Sequence, residues 1–473
     1  MIRLLGLIAF VALLGGCAHD RPTEMAQCEI NAYPLLVGGH HPRGDDTIPV
    51  RDTGNFDIER IENGKPKVPE PFQIALTRAL AAGNRGSGTK SSDDAVLVLS
   101  GGGQHGPFGT GFFLGLPKVR TYRIVTGVST GSLQSTFMFL ARQPVPTPND
   151  REYPLDTGNL DIPKGSSDIG DLALASSISS ERSLLRIHSF GVVGGVLAGS
   201  ISSLDPLAQR LYDIISRDTL GAVAAERAKG RSLFVGVVDV DDGNGYALDL
   251  TALAEQGAKA ATEAGMDAAR HCYVQALLAS SSVPLAAYPV SIALHDMTQG
   301  AAAPPKRHLM IDGGARFGVF FRQMLDAVKT ASTPAIPVDV DLIVNGSLYS
   351  TPWLDGRGKP VNRWSALTLG QRSLDILENQ VYRFSVEQVE SSTSGGRLRM
   401  AFISNENLGP TAPDPGDFVF RDKKCSEWSA LDEQDYHVLQ FHPRYMACLL
   451  AYGRDRGSHE QWNLDSLKIK AAP

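Results

Sequence analysis

The chain has few cysteines, no surplus of basic residues and no long apolar run near its start. Its 473 residues include five cysteines, with no C-x-x-C pair or cysteine–histidine cluster, so the sequence predicts no zinc site. A formal charge of −6 without a basic face argues against a nucleic-acid partner. The apolar run over residues 4–14 is well short of the roughly 20 residues that a membrane-spanning helix needs.

The opening stretch, MIRLLGLIAFVALLGGCAHD, has the anatomy of a secretory signal peptide. Arg3 precedes the apolar run, and small residues lead to Cys17. The segment LGGC, ending at Cys17, resembles the lipobox of bacterial lipoproteins, whose cysteine is lipidated and follows the cleavage site. This resemblance implies a signal peptide over 1–16 and a lipid-anchored protein of the bacterial cell envelope, at the outer membrane or periplasmic face. The alternative is an ordinary signal peptide, which would yield a soluble secreted protein.

Four cysteines remain once Cys17 is assigned to lipid. An exported protein can oxidise its thiols, and Cys425 with Cys448 is the first pair to consider because both lie near the C-terminus.

The organisation changes at about residue 90. Residues 17–90 are rich in Gly, Pro, Asp and Arg, which predicts a tether with one short helix around PFQIALTRALAAG. From 91 to 460, nearly continuous apolar strands alternate with helices, and 461–473 is predicted to be a C-terminal tail. The pattern predicts an α/β fold with three layers, in which helices cover both faces of a mainly parallel sheet.

The first glycine cluster follows the strand AVLVLS. Gly101, Gly103 and Gly106 fit G-x-G-x-x-G, the spacing of a dinucleotide-binding turn. The same backbone suits an oxyanion, and a simple strand-to-helix turn is the third interpretation. A dinucleotide site needs an acidic residue about 20 positions further on, and the next strand, YRIVTGVS, supplies none there.

That next strand ends in a second glycine motif, Gly127-Val128-Ser129-Thr130-Gly131, which is a G-x-S-x-G followed by an apolar helix. A nucleophile elbow needs this strand-turn-helix context to raise the serine hydroxyl out of the sheet. The amides of the first glycine cluster would then lie beside Ser129, where they can stabilise an oxyanion.

A nucleophilic serine needs a base. None of the eleven histidines lies in a recognised histidine motif, whereas Asp312 ends the strand HLMI and opens the turn Asp312-Gly313-Gly314. A carboxylate at a strand end is a credible general base for Ser129.

These motifs resemble those of the patatin-like phospholipases over roughly residues 94–457. LSGGGQHGPFGTG is similar to the family's oxyanion loop, GVSTG to its serine motif and DGG to its aspartate motif, in that order. ASSSVPLAAYPV resembles the serine-rich loop before the aspartate strand, and IVNG, SLDILENQ and PRYMACLLAYG resemble later parts of the core. The resemblance implies a lipid acyl hydrolase with no cofactor or metal, acting on membrane lipid through an acyl-enzyme. It assigns Ser129 and Asp312 to a catalytic dyad and the following residues to the oxyanion hole: Gly101, Gly102, Gly103, Gln104, His105 and Gly106.

Two departures from the family pattern concern the surroundings of the dyad. His105 stands where the family usually has Arg or Lys in the glycine-rich loop, so a titratable group replaces a fixed charge. After Gly314, the usual Asn and Pro are replaced by ARFGVFF. Five phenylalanines near the motifs are expected in the core rather than against an acyl chain: Phe108, Phe112, Phe113, Phe137 and Phe139.

Two other interpretations remain open. An α/β-hydrolase would use Ser129 with an acid and a late histidine, such as His437 or His442, but should have several strands before the nucleophile. A lipid-binding envelope lipoprotein would retain the fold without turnover.

Overall fold

The computed structural model describes most of the predicted α/β region and a short N-terminal segment. The described residues are 28–35, 61–62, 65–66, 95–141, 172, 176, 178, 180–188, 200–297, 304–319, 338–348, 352–353, 359–364, 366–392, 396–408, 412–435 and 441–466. The predicted signal peptide, Cys17, the short helix near residue 75 and His437 lie outside these residues.

Ten strands form the central sheet. In chain order they are β1 (Glu29–Leu35), β2 (Ala95–Leu99), β3 (Tyr122–Val128), β4 (Ser232–Asp239), β5 (Gly245–Asp249), β6 (Val290–Asp296), β7 (Lys306–Asp312), β8 (Val340–Val344), β9 (Leu398–Phe402) and β10 (Leu464–Asp465). Three short pairs lie apart from the sheet: Ile61–Glu62 with Lys65–Pro66, Arg186–Ile187 with Ser202–Ser203, and Val419–Phe420 with Lys423–Lys424.

The α-helices with described bounds are α1 (Gly106–Gly115), α2 (Thr130–Phe139), α3 (Asp205–Ile214), α4 (Arg217–Ala228), α5 (Leu250–Ala258), α6 (Glu263–Ser280), α7 (Ala366–Ser392), α8 (Cys425–Asp432) and α9 (Pro443–Ser458). Single 3₁₀ turns occur at Gly103–His105, Glu181–Ser183 and Gly313–Ala315. No helix among the described residues is both long and apolar enough to cross a membrane.

The sheet has the order β7-β6-β1-β5-β4-β3-β2-β8-β9-β10. Strands β4, β3, β2, β8 and β9 run parallel to one another, and this block carries both glycine motifs. Antiparallel pairs join β5 to β4 and to β1, and β6 to β7, on one side. The predicted fold class, a mostly parallel α/β sheet, is confirmed, and the antiparallel strands extend it on either side of the parallel block.

Both faces of the sheet are buried, as the predicted three layers require. Ala95, Leu97 and Leu99 of β2 belong to one apolar core, which also contains side chains of α1, α2, α6 and α9. Val96 and Val98 point to the opposite face and belong to a second core with side chains of α7. This alternation follows from the two-residue period of a strand and explains why β2 is apolar at every position.

The ends of the domain differ from the sequence-based boundaries. Strand β1 lies inside the predicted tether 17–90, yet it pairs with β6 and β5 within the main sheet. Strand β10 lies inside the predicted tail 461–473, yet it pairs with β9, and Trp462 is buried in the core. The place of each segment in the sheet depends on partners far away in sequence, which a local pattern does not reveal.

Two disulfides join the four described cysteines. Cys425 and Cys448 are bonded, as their positions suggested, and link α8 to α9. Cys28 and Cys272 are also bonded and attach the start of β1 to α6. Both bonds are of the kind expected in an oxidising compartment.

Helices α1 and α9 pack unusually closely because glycines face each other. A methyl group on Gly111 would overlap the carbonyl oxygen of Leu450, and one on Gly453 would overlap that of Phe108. This contact holds the helix that follows the first glycine cluster firmly against the domain.

Candidate active site

Ser129 lies at the sharp turn between β3 and α2. Its backbone angles, φ 52° and ψ −124°, are rare for a residue with a side chain, and it is the residue immediately before the first turn of α2. Such a conformation costs roughly 1–3 kcal/mol and is maintained only where the surrounding structure enforces it. The strand-turn-helix geometry predicted from G-x-S-x-G is therefore present around Ser129.

The two glycines of that motif are required by close contacts. A methyl group on Gly131 would lie 2.6 Å from the carbonyl oxygen of Leu99, the last residue of β2, and 2.5 Å from that of Ser100, the next residue. A methyl group on Gly127 would lie 2.5 Å from the Gly131 carbonyl oxygen. A side chain at Gly131 would force the elbow away from β2, and one at Gly127 would push the end of β3 away from the start of α2.

The sheet register brings Asp312 next to Ser129. Strand β3 pairs with β4 up to Val128, which lies opposite Gly236. Strand β7 continues along the same edge of β4 in the opposite direction, and Asp312 lies opposite Val237. Ser129 follows Val128 directly, so the ends of β3 and β7 meet at the same point of β4.

Both side chains are buried, with Ser129 7% exposed and Asp312 3% exposed. Asp312 Oδ1 accepts a hydrogen bond from the N–H of Gly314 (2.7 Å), which orients the carboxylate. Within the described part of the chain, no hydrogen bond links the Ser129 hydroxyl to this carboxylate. The adjacency of the two strand ends makes Ser129 and Asp312 a candidate pair, and catalytic hydrogen bonds are often long before substrate binds.

The glycine-rich loop packs against the elbow. Gly101 faces Ser129, since a methyl group there would lie 2.9 Å from Ser129 Cβ. The Thr130 hydroxyl donates a hydrogen bond to the Gly103 carbonyl (3.1 Å). Gly103 and Gln104 begin a 3₁₀ turn, and the first N–H groups of a helical turn have no partner within it. The loop thus presents amide donors beside Ser129.

Two buried polar side chains fix this loop from behind. The Asn345 amide, at the end of β8, donates to the Ser100 carbonyl (2.7 Å) and to Gln134 Oε1 (2.8 Å). The Gln134 amide donates in turn to the Gly106 carbonyl (2.6 Å). A side chain at Gly102 would overlap the Asn345 backbone carbonyl, so the loop approaches β8 as closely as its backbone allows.

His105 is partly buried in the loop and close to His442. Burial lowers the pKa of His105 below its usual 6.5, and the neighbouring imidazole of His442 acts in the same direction. The side chain is therefore neutral near pH 7. The position that carries Arg or Lys in the family pattern contributes no fixed positive charge here.

A serine cluster at the end of α6 contacts both members of the pair. The Ser280 hydroxyl accepts a hydrogen bond from the Ser129 N–H (3.1 Å) and donates one to the Gly236 carbonyl (2.7 Å). The Ser282 carbonyl accepts a hydrogen bond from the Asp312 N–H (3.0 Å). The stretch ASSSVPLAAYPV entered the sequence-based prediction only through the family resemblance, with no role for Ser280.

Tyr382 is a second residue near the site that the sequence did not predict. Its ring comes from α7 on the other face of the sheet and is 4% exposed. A methyl group on Gly101 would overlap its hydroxyl, and one on Gly314 would lie 3.6 Å from the same oxygen. The hydroxyl therefore lies between the glycine-rich loop and the aspartate turn. No local pattern in the helix distinguishes Tyr382 from a packing residue, so only the fold reveals its place.

The five phenylalanines near the motifs are core residues, as expected. Each is at most 2% exposed, and all belong to the core on the α1 and α2 face. Among the described residues, no cluster of His, Cys, Asp or Glu is arranged to hold a metal ion.

The fold and the site together define a class of protein: a three-layer α/β domain with a serine at a strand-to-helix elbow beside a glycine-rich loop. Residues 97–325 match the family model of the Patatin-like phospholipases. The chain therefore carries a patatin-like phospholipase domain, and the matched segment contains the loop, Ser129 and Asp312. At the level of the family this supports a lipid acyl hydrolase. A comparison with curated proteins gave no match.

Proposed function

We propose that the protein hydrolyses carboxylic ester bonds of phospholipids or related lipids through a Ser129–Asp312 dyad. The observation that supports this most strongly is the meeting of β3 and β7 on one edge of β4, which makes the two residues neighbours. The family match supplies the substrate class.

In the proposed reaction, Asp312 takes the proton from the Ser129 hydroxyl as Oγ attacks the ester carbonyl carbon. Amides of the glycine-rich loop stabilise the negative charge on the former carbonyl oxygen. The intermediate collapses, the alcohol leaves with the proton from Asp312, and the acyl group stays on Ser129. Asp312 then takes a proton from water as the water oxygen attacks the acyl carbon, and it returns that proton to Ser129 Oγ as the bond to Oγ breaks and the fatty acid leaves.

The proposal is tested with a fluorophosphonate probe and an ester substrate. Wild type should label and turn over, whereas Ser129→Ala should do neither. Asp312→Ala should lose turnover while remaining folded. Failure of wild type to label or to hydrolyse any acyl ester would favour a lipid-binding protein without turnover. Activity that survives Asp312→Ala but is lost in His442→Ala would favour a serine–histidine triad.

Lipidation of Cys17 is proposed as the means of attachment to the cell envelope. Ten residues separate Cys17 from Cys28, so an anchor would hold the domain within roughly 40 Å of a bilayer at full extension. Several acyl chains make such anchoring stable, since each buried methylene contributes about 0.8 kcal/mol. Wild type should partition into the membrane fraction, and Cys17→Ser should release it to the soluble fraction; equal partitioning of both would contradict the assignment.

A further inference from the structure

Tyr382 places a phenol hydroxyl inside the candidate active site. A single methyl group on Gly101 would overlap this hydroxyl and would lie 2.9 Å from Ser129 Cβ, so the two atoms border the same small space. A methyl group on Gly314 would lie 3.1 Å from Asp312 Oδ1 and 3.6 Å from the same hydroxyl. The Tyr382 hydroxyl is therefore close to both members of the dyad as well as to the glycine-rich loop.

The ring of Tyr382 is held in place by the backbone that follows the aspartate turn. A methyl group on Gly318 would overlap this ring, so the two pack directly against each other. About one turn further along α7, the Ser385 hydroxyl accepts a hydrogen bond from the Gly318 N–H (3.1 Å). Tyr382 and Val386 also share the second apolar core with Phe317. A hydroxyl fixed in this way needs no reorganisation when charge develops beside it.

An ester attacked by Ser129 would bring an oxygen atom into this space. The former carbonyl oxygen lies three covalent bonds from Ser129 Cβ, through Oγ and the carbonyl carbon, and a hydrogen bond needs about 2.6–3.2 Å between this oxygen and the hydroxyl. A tyrosine donates one O–H and can form part of an oxyanion hole. The loop offers backbone amides, and its His105 is neutral near pH 7, so the phenol would add a side-chain donor where the loop has no fixed charge.

We propose that the Tyr382 hydroxyl is a third catalytic group, which donates a hydrogen bond to the oxygen that becomes negatively charged when Ser129 attacks the ester. The proposal rests on the proposed function and adds a residue of α7 to the reacting centre. The phenol keeps its proton throughout, and Asp312 carries the proton that is transferred. The hydrogen bond strengthens as charge builds up on the oxygen and weakens again when the carbonyl re-forms.

The test compares Tyr382→Phe with wild type, because this variant keeps the ring against Gly318 and removes only the hydroxyl. In ester hydrolysis, kcat should fall about 100-fold, the order expected for the loss of one oxyanion donor. KM should stay within about twofold, because the hydrogen bond is made in the transition state rather than with the bound ester. Binding of a trifluoromethyl ketone, which forms a tetrahedral adduct with a catalytic serine, should weaken by about the same factor as kcat.

Tyr273→Phe is the matched control. Tyr273 is also buried, and its hydroxyl forms a hydrogen bond with that of Thr136 (2.9 Å), two turns beyond Ser129 in α2. The control should keep the kcat of wild type, and thermal unfolding verifies that all three proteins are folded.

The proposal is overturned if Tyr382→Phe keeps kcat within about threefold of wild type, or if its kcat falls while the ketone binds as tightly as before. An equal loss of kcat in Tyr273→Phe would also overturn it, because the loss would then follow from removing any buried phenol hydroxyl. A wild type that cleaves no ester would contradict the proposed function, and this proposal with it. An active wild type with an equally active Tyr382→Phe would contradict only the role of Tyr382.

Discussion

Replacement of Ser280 by alanine tests how the elbow is held. The Ser280 hydroxyl is fully buried and bridges the Ser129 N–H to the Gly236 carbonyl. Ser280→Ala leaves the Ser129 N–H buried without this acceptor, and an unsatisfied buried polar group costs about 1–3 kcal/mol. We expect the free energy of unfolding to fall by about 2 kcal/mol. Relaxation of the strained elbow should also lower kcat by roughly 100-fold, since a displacement near 1 Å has an effect of that order.

The assay combines urea unfolding with ester hydrolysis at saturating substrate. Ser281→Ala is the matched control, because within the described part of the chain the Ser281 hydroxyl donates one long hydrogen bond, 3.5 Å to the Ser129 carbonyl. Its unfolding free energy should change by about 0.5 kcal/mol or less. If Ser280→Ala and Ser281→Ala behave alike in both measurements, the elbow does not depend on the Ser280 bridge and the reasoning is refuted.

Two further predictions concern the disulfide and the loop histidine. Cys425 and Cys448 close a loop of 23 residues, so replacing both by serine should lower the unfolding free energy by about 3 kcal/mol in a denaturation experiment; an unchanged urea midpoint would contradict this. Burial lowers the pKa of His105 below 6.5, so the unfolded chain binds the proton more tightly and stability falls as the pH decreases below 6.5. His105→Gln should make unfolding temperatures less dependent on pH in that range, and an equally steep decline would show that other groups cause it.

The sequence alone was sufficient to predict those elements of the fold that have strong local signals. Strand β2 is apolar at every position, and the strand-turn-helix at Ser129 follows from its glycines, because these features depend on neighbours in the chain. The turn after Asp312 was identified in the same way. Strand β1 was missed because its pairing with β5 and β6 connects residues more than 200 positions apart, which no local pattern reveals.

In the candidate site, too, local motifs could be predicted from the sequence, whereas contacts between distant segments could not. The motifs identified Ser129, Asp312 and the glycine-rich loop, but not the register that makes the first two neighbours. Ser280 and Tyr382 reach the site from helices on opposite faces of the sheet, so their roles depend on tertiary packing. A serine at a helix end and a tyrosine in an amphipathic helix are common, and nothing in their sequence context sets them apart.

The central claim is that Ser129 and Asp312 act as one catalytic unit, and a double-mutant comparison of kcat tests it most directly. Asp312→Asn keeps an acceptor for the Gly314 N–H while removing the base, and Ser129→Ala removes the nucleophile. Each single variant should lose about 1,000-fold or more in ester hydrolysis, and the double variant should lose no more than the more impaired single variant, because residues that act together are not additive. The account would be contradicted if the loss of kcat in the double variant equalled the product of the two single losses. It would also be contradicted if the Asp312→Asn enzyme kept nearly full activity.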